Sequence, residues 1–433
     1  MSRKQLKRAH ILRNFNEQAI SREAASKALG LSERQITRLA KGMRETGEDA
    51  LIHKNTGRVP SHALSEDAKK RILEIRGHEI YTKCNISHFK DLLMREHGIK
   101  ISYKPLYNLL NEAGIKSPKK HKKAVKHRRR KRKARAGELL QIDASPHDWF
   151  GNGVPISLHG AIDDATGEFT GLHFEQNECL NGYFEVMRHT VPVFGTPLSV
   201  YSDKHSIFRS PLTTKKEELG EEANLTQFGR ALDELGVNII YAHSAQAKGR
   251  IERAWETLQS RLPVELAIRG IKTIEEANKY LATEFIPMFN EQFGVNAEAD
   301  PIFVALASGI DLDTILCVKE HRKADSAGVF SLNRRHFKVL DEGYPLIPAK
   351  AAIEVLISVK NAIKVRYKGR VYNTALHEKP TKATTMQPKR TKEKNQTKPL
   401  LLHGSDEWRK VWHQESYADS MEFLYSLFFK PCA

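Results

Sequence analysis

From residue 137 onward, short apolar runs alternate with amphipathic stretches, and this alternation constrains the fold more than any other feature. Three strand-like runs come first, and Ala165-Thr166-Gly167 forms a turn sequence between the second and third, which predicts an antiparallel hairpin. Alternating helices and strands follow, ending in a long helix that begins near Ile251. This order predicts an α/β domain built on a mixed sheet over residues 137–295.

Three acidic residues lie in distinct contexts of this domain. Asp143 ends the first apolar run, Asp203 follows the run at 198–202, and Glu252 stands at the start of the long helix. Any one of them alone is more often a turn or capping residue, but strand ends and a helix start can converge at one edge of a sheet. Carboxylates in that arrangement suit divalent metal ions, and paired ions suit phosphodiester transfer.

Neighbouring residues leave alternatives open. Asp163 and Asp164 begin the turn sequence Asp-Ala-Thr-Gly, so we interpret both as structural, with Asp163 the stronger rival as a metal-proximal residue. Glu256 lies one turn after Glu252 on the same helix face and is a weaker rival for the third acidic position. Trp255 shares that face and is interpreted as a core residue.

The charge distribution indicates the class of partner. The chain holds 70 Lys and Arg against 52 Asp and Glu, a formal net charge of +18. Such an excess favours nucleic acid or an anionic membrane surface as partner. No run of about 18 apolar residues is present, which argues against a spanning helix. The four cysteines are far apart, so a zinc site is not expected and a reducing, cytoplasmic setting fits.

The basic residues are concentrated in one segment. Residues 116–136 carry thirteen Lys or Arg and no acid. A dense run of this kind gains by releasing counterions from a phosphate backbone, which favours a DNA-binding linker over a merely solvated one.

Two helical segments precede this linker. Residues 1–58 combine a helix, a turn at Gly30 and a second helix from Ser32, which is the helix-turn-helix pattern, with a plain helical hairpin as the alternative. Residues 62–115 predict a second helical DNA-binding domain less clearly. Expected DNA contacts on these domains, in the linker and before the long helix are Arg34, Gln35, Arg38, Tyr103, Lys104, Asn108, Arg128, Arg129, Arg130, Lys248 and Arg250.

The rest of the chain adds three expectations. Residues 209–224 are polar and predict an inserted loop, and the short strands over 315–378 predict a small β-barrel. Residues 379–433 form a tail that we expect to be partly disordered, because its first half is rich in Lys, Thr, Pro and Gln.

Four segments taken together resemble the DDE-type insertion-sequence transposases with a retroviral-integrase catalytic core, and among them the bacterial ISNCY group. They are Gly137–Asp143, Ile162–Gly167, Tyr201–Asp203 and Ala245–Arg253. The resemblance spans roughly residues 10–375. It implies a multidomain α/β protein with a ribonuclease H-like core, and two Mg²⁺ or Mn²⁺ ions held by Asp143, Asp203 and Glu252. The spacing between Asp203 and Glu252 is longer than integrases usually show.

The same resemblance implies a reaction and its partners. The reaction is cleavage of DNA at the ends of an insertion sequence, followed by attack of the free 3′-hydroxyl on target DNA. The partners are double-stranded DNA, in the form of terminal inverted repeats and target, and further copies of the chain in a homodimer or higher oligomer. The implied location is the bacterial cytoplasm at the nucleoid, with no membrane partner. Two alternatives stay open: a catalytically inactive or domesticated DNA-binding regulator derived from a transposase, and a nuclease that cuts without joining.

Overall fold

The computed structural model describes residues 3–52, 64–118, 130–209, 225–241, 249–340, 343, 345–360 and 362–377. The chain divides into two compact units, residues 1–75 and 76–433. The middle of the predicted linker, nearly all of the predicted insertion and the predicted tail lie outside the described residues.

The first unit is helical. Its elements are α1 (Arg3–Asn16), α2 (Arg22–Leu29), α3 (Glu33–Thr46), a 3₁₀ turn (Gly47–Leu51) and the greater part of α4 (Glu66–Gly77). Gly30 ends α2 in the left-handed conformation, with φ +62°, where a side chain would be strained. Ser32 and Gln35 then start α3 with reciprocal side-chain to backbone hydrogen bonds of 3.3 and 3.2 Å, a capping box. The predicted pair of helices around a glycine turn is therefore present.

The second unit begins with further helices and continues into a five-stranded sheet. The helices are α5 (Glu79–Thr82), α6 (Ile86–His97) and α7 (Tyr103–Glu112). The strands are β1 (Leu140–His147), β2 (Ile156–Asp163), β3 (Phe169–Glu175), β4 (Ser199–Ser202) and β5 (Asn238–Tyr241). Their order is β3-β2-β1-β4-β5; β2 is antiparallel to both of its neighbours, β1 and β3, whereas β1, β4 and β5 are parallel. The mixed sheet predicted from the sequence is confirmed.

Helices cover both faces of this sheet. They are α8 (Leu180–Phe194), α9 (Gln227–Glu234), α10 (Gly249–Ile268), α11 (Ile274–Tyr280), a π-helical turn (Leu281–Phe285) and α12 (Ile286–Phe293). On β1, Leu140 and Ile142 point into the core shared with α8 and α9. The intervening residues face α10, because side chains alternate along a strand. This alternation decides which residues of β1 meet the long helix.

The C-terminal part forms a second, antiparallel sheet. After α13 (Leu312–Ile315) come β6 (Val318–Lys323), β7 (Val329–Leu332), β8 (Arg335–Val339), β9 (Ala352–Ser358), β10 (Ala362–Tyr367) and β11 (Arg370–Leu376). The order is β6-β9-β10-β11-β8-β7. Among the described residues no ladder joins β6 to β7, so a closed barrel remains a prediction.

The second sheet is tied to α9. Lys319 of β6 donates from Nζ to both carboxylate oxygens of Glu234, at 2.6 and 2.8 Å, and Arg230 donates to the carbonyl of Ile315 at 2.9 Å. Both sheets contribute to one apolar cluster. Of the helices described, none is both long and apolar enough to cross a membrane.

Candidate active site

Asp143 and Asp203 share one register in the central sheet. The parallel neighbours β1 and β4 pair Gln141 with Tyr201, a separation of 201 − 141 = 60 positions. Asp143 and Asp203 are also 203 − 143 = 60 positions apart. The observed ladder ends at Gln141 and Tyr201, and the same register continued by two residues would set Asp143 opposite Asp203, on strands about 4.8 Å apart.

The buried Tyr183 of α8 lies in the field of both aspartates. Its hydroxyl donates to Glu178 Oε1 at 2.5 Å. Burial raises the pKa of Tyr183 well above its ordinary value, and the negative charges of Glu178, Asp143 and Asp203 raise that pKa further. Both carboxylates thus raise the pKa of the same tyrosine, which agrees with the register between β1 and β4.

Asp203 is oriented by the turn that follows β4. Its Oδ1 accepts the backbone N–H of His205 at 2.9 Å, the hydrogen bond by which an aspartate starts a tight turn. A strand end followed by this turn holds the aspartate at the sheet edge.

The indole of Trp255 fixes Asp143 from the side of α10. Its Nε1 donates to Asp143 Oδ2 at 3.1 Å. The ring lies against Gly160, the residue of β2 that pairs with Asp143, and a Cβ on Gly160 would come within 2.7 Å of it. Trp255 is 6% exposed, so the prediction of a core residue is confirmed, and the contact with Asp143 adds a role that sequence reasoning missed.

A buried polar network ties the start of α10 to β1. Gln141, two positions before Asp143 and on the same face of β1, accepts the backbone N–H of Ile251 on its Oε1 at 3.3 Å. Its Nε2 donates to Asp164 Oδ1 at 2.7 Å, and the same oxygen accepts Arg250 Nε at 2.6 Å. Gln141 and Asp164 are both fully buried. The first turn of α10 is therefore held by side chains of the sheet.

Glu252 lies in that first turn and is exposed. It precedes Trp255 by three positions and Glu256 by four, so the three share one helix face. Glu256 is exposed as well and makes an interaction of its own, so the position of these side chains leaves both as candidates for the third acidic residue.

The three carboxylates do not form a ready-made ion site. Within the described part of the chain, no group of three or more His, Cys, Asp or Glu side chains is arranged to hold a metal ion. Asp143 lies on β1, Asp203 directly follows the neighbouring β4, and Glu252 lies in the first turn of α10.

The carboxylate of Asp163 accepts hydrogen bonds mainly from the backbone, whereas that of the adjacent Asp164 pairs with arginine side chains. Its Oδ1 accepts the N–H groups of Ala165 and Thr166, each at 2.9 Å, and its Oδ2 accepts that of Gly137 at 2.8 Å. Burial raises the pKa of Asp163, and these backbone hydrogen bonds oppose the rise. Both oxygens are thus engaged by the fold, as the interpretation of a structural turn residue expects.

Comparison with known proteins gives the family. No family model matches the chain. It is 34% identical over 422 residues to the transposase for insertion sequence IS1202 of Streptococcus pneumoniae, an alignment that covers 88% of this chain and 89% of the relative. The chain belongs to the insertion-sequence transposases. This transposase is also 32% identical over 372 residues to y4bF of Sinorhizobium fredii, which carries a provisional transposase designation, with 85% and 80% of the two chains covered.

Solved structures similar to the transposase are viral integrases. The simian T-cell lymphotropic virus intasome matches with a TM-score of 0.30 and 13% identity, over 70% of this chain and 95% of the other. The HTLV-2 integrase catalytic core domain in complex with magnesium matches with a TM-score of 0.25 and 13% identity, over 35% and 88%.

The residues expected to contact DNA fall in several places on the transposase. Arg34, Gln35 and Arg38 are exposed on α3, although the side chain of Gln35 is partly engaged by the capping box. Of the basic residues expected near the site, Arg130 and Arg250 converge on Asp164, while Arg128, Arg129 and Lys248 lie outside the described residues.

On α7 the transposase exposes an aromatic and basic cluster. Tyr103, Lys104 and Asn108 are all exposed, as a DNA-contacting face requires. Tyr107 stacks on Tyr103 with ring centroids 6.1 Å apart, and Lys104 Nζ lies 5.2 Å from the Tyr107 ring. Tyr107 was missed by sequence reasoning, although its spacing of four residues from Tyr103 places it on the same helix face.

Proposed function

We propose that the protein is a DDE-type DNA transposase, which binds the ends of its insertion sequence, cleaves there, and joins the free 3′-hydroxyl to target DNA. The observation that carries the proposal is the parallel pairing of β1 with β4, whose register supports a position of Asp143 opposite Asp203. Two carboxylates on neighbouring strands at one sheet edge, with a third on the next helix, suit phosphodiester chemistry.

The fold supports the proposal at several points. The strand order β3-β2-β1-β4-β5, with helices on both faces, supports a ribonuclease H-like core. The capped helices α2 and α3 around Gly30 support a helix-turn-helix domain, and the antiparallel sheet over 318–376 supports a small C-terminal barrel.

The donor chemistry of the site fits a hard divalent cation. Asp143, Asp203 and Glu252 offer only carboxylate oxygens, which Mg²⁺ and Mn²⁺ prefer. Two such ions, when bound, would activate the attacking oxygen and stabilise the leaving oxygen. The exposed, flexible side chain of Glu252 completes the set by rotation from the first turn of α10.

The remaining roles belong to the chain's own side chains. Trp255 holds the Asp143 carboxylate, and Gln141 holds the turn that carries Glu252. Exposed residues of α3 and α7 bind the terminal inverted repeats. Joining two ends requires two copies of the site, so the active form is a homodimer or larger assembly on DNA.

The test compares Asp203→Asn with Asp233→Asn, a control at an exposed aspartate of α9. The substrate is duplex DNA carrying the sequences that flank the gene, with Mg²⁺ or Mn²⁺. We expect Asp203→Asn to lower the cleavage rate about a thousandfold or more, because metal-based charge stabilisation supplies several kcal/mol. Binding of the same duplex should be unchanged in both variants.

The outcomes separate the proposal from its alternatives. Cleavage retained in Asp203→Asn would show that the site is wrongly assigned. Selective binding without cleavage by the unsubstituted protein would favour a DNA-binding regulator. Cleavage without joining of a pre-cut 3′-hydroxyl end would favour a nuclease.

A further inference from the structure

Beside the acidic site lies a cluster of four arginines organised by one buried carboxylate. Asp164 is fully buried, yet the charged groups that pair with it are arginines from distant parts of the chain. Arg250, at the start of α10, donates Nε to Asp164 Oδ1 at 2.6 Å, and Arg130, at the end of the basic segment, donates to the same oxygen. One carboxylate therefore gathers two guanidinium groups.

The backbone strengthens this junction. The N–H of Lys133 donates to Asp164 Oδ2 at 2.9 Å, and Arg250 Nη2 donates to the carbonyl of Arg130 at 3.1 Å. The last residues of the basic segment are thereby fastened to the helix that carries Glu252.

Two further arginines extend the cluster. Arg132 donates to the carbonyl of Ala165 at 3.0 Å and lies over Gly167, while the exposed Arg253 donates to the carbonyl of Gly249 at 2.7 Å. In the described part of the chain, neither guanidinium forms an ion pair with a carboxylate. Burial lowers the pKa of Arg132, and the positive charges of Arg250 and Arg253 lower it further.

The cluster carries more positive than negative charge. Arg130, Arg132, Arg250 and Arg253 bring four positive charges, of which Asp164 pairs with two, and Asp163 is a second negative charge that acts on Arg132. Arg130 keeps 46% of its side chain exposed. Gathering like charges is unfavourable unless an anion binds them, and guanidinium groups bind phosphate with several N–H donors at once.

We propose that Asp164 assembles a binding site for the DNA phosphate backbone, in which Arg130, Arg132, Arg250 and Arg253 hold successive phosphates of the strand that enters the active site. Asp164 is a positioning residue, and the ligand class is the phosphodiester chain, independent of base sequence. The proposal rests on the proposed function, because it places this strand beside Glu252.

The decisive variant is Asp164→Asn, because two explanations predict opposite signs. If Asp164 only neutralises charge, its removal makes the surface more positive and DNA binds more tightly. If Asp164 assembles the site, the arginines separate and the affinity falls about tenfold. The slope of log affinity against log salt then becomes shallower by about one for each phosphate that the variant no longer binds. The probe is duplex DNA of scrambled sequence without divalent metal.

Surface variants keep the test valid if Asp164→Asn fails to fold. Arg130→Gln and Arg253→Gln should each weaken binding about tenfold and reduce the salt slope by about one. Lys131→Gln is the matched control: its residue is next to Arg130 in sequence but pairs with Glu298 at 3.2 Å, so its effect should be smaller. Thermal unfolding of each variant checks the fold.

The results distinguish this proposal from the proposed function. Tighter binding by Asp164→Asn, or equal salt slopes for Arg130→Gln and Lys131→Gln, would overturn the phosphate site. A shallower slope as expected, in a protein that cleaves no flanking DNA with metal present, would retain the phosphate site and reject the transposase reaction.

Discussion

At the scale of single residues, the site depends on side chains that hold the acids as much as on the acids. Asp143 keeps its orientation through one indole N–H, and that indole depends on the absence of a side chain at Gly160. Such contacts can be tested by paired substitutions that remove the same atoms at Trp255 and at a second buried tryptophan.

Trp255→Phe should lower the cleavage rate about tenfold and the unfolding free energy by about 2 kcal/mol, because both a hydrogen bond and buried ring volume are lost. The smaller phenyl ring lacks the Cη2 and Cζ2 atoms that lie against Gly160, and Asp143 loses the indole donor. Trp149→Phe is the control, because Trp149 is also buried and donates its Nε1 to β1, at the carbonyl of Ser145. Equal loss of activity in the two variants, measured by cleavage assay and urea unfolding, would contradict a specific role for Trp255.

His159 should make the core sensitive to acid. The ring is fully buried, its Nε2 accepts the N–H of Cys179 at 3.1 Å, and burial lowers the pKa of His159 to about 4. The unfolded chain binds this proton near pH 6.5, so the unfolded state gains protons first as the pH falls. We expect unfolding free energy to fall by about 3 kcal/mol between pH 6.5 and 4.

The measurement is urea unfolding at several pH values. His159→Gln should flatten the pH dependence, whereas His321→Gln, at an exposed histidine of β6, should leave it unchanged. Burial also lowers the pKa of His88, so His88 makes the unfolding free energy fall with decreasing pH in the same way. It should therefore contribute to the pH dependence that remains in His159→Gln. An unchanged slope in His159→Gln would refute the assignment.

At the scale of elements, α6 and α10 are joined by a buried ionic network. Glu265 of α10 is 2% exposed at its side chain and accepts His88 Nε2 at 2.8 Å, Arg95 Nη2 at 2.5 Å and Arg269 Nη1 at 3.0 Å. Burial alone would raise the pKa of Glu265, but the hydrogen bond from His88 and the charge of Arg95 lower it to about 2. We assign His88 as the neutral donor, since burial lowers its own pKa. Helix α6, which precedes the basic segment, is thus fixed to the helix that carries Glu252.

Glu265→Gln should lower unfolding free energy by about 3 kcal/mol, because the partly buried Arg95 and Arg269 lose the buried carboxylate that they share. Glu284→Gln is the matched control: Glu284 also faces Arg269, at 3.5 Å, but is 63% exposed, so its loss should cost less than about 0.5 kcal/mol. Urea unfolding of both variants checks the difference, and equal costs would contradict the network.

Most of the helices and strands could be predicted from the sequence, because the spacing of apolar residues and the presence of turn residues are properties of short segments. The expected runs at 156–164 and 169–176 match β2 and β3 to within a residue or two at their ends. The first strand was predicted to end at Asp143 but continues to His147, since Pro146 signals an end locally while pairing with β2 carries the strand on.

The candidate site was predictable only in part. Motif context singled out three acids, but the register between β1 and β4, which bears on the position of Asp143 relative to Asp203, is a property of the folded sheet. The role of Asp164 was missed, because its partners Arg130 and Arg250 are 34 and 86 positions away in sequence. Nothing in the turn sequence itself distinguishes Asp164 from Asp163.

At the scale of the whole molecule, the helical N-terminal third is not one removable part. Residues 1–75 form a compact unit, while α6 belongs with the second unit and supplies partners to Glu265. Deleting residues 1–63 should therefore leave the unfolding temperature of the rest nearly unchanged. Deleting residues 1–115 should lower it, because Glu265 loses His88 and Arg95.

Circular dichroism melting of both truncated proteins tests this expectation, and end-selective DNA binding is measured beside it. The same unfolding temperature for the two proteins would show that α6 adds nothing to the catalytic part. Full end selectivity in the protein that lacks residues 1–115 would refute the helical DNA-binding domains.

Strand β1 contacts both β4, which precedes Asp203, and the first turns of α10, which carry Glu252. These contacts explain why a long separation between Asp203 and Glu252 in sequence is compatible with the candidate site. Asp203 is placed by the ladder of β4, and Glu252 by Gln141 and Trp255, so neither depends on the length of chain between them. Because α9 and β5 lie in the same interval and belong to the core, a change of length that spares the candidate site must fall outside these two elements. For the experimenter, the same independence recommends residues 210–224 for a genetically inserted reporter peptide.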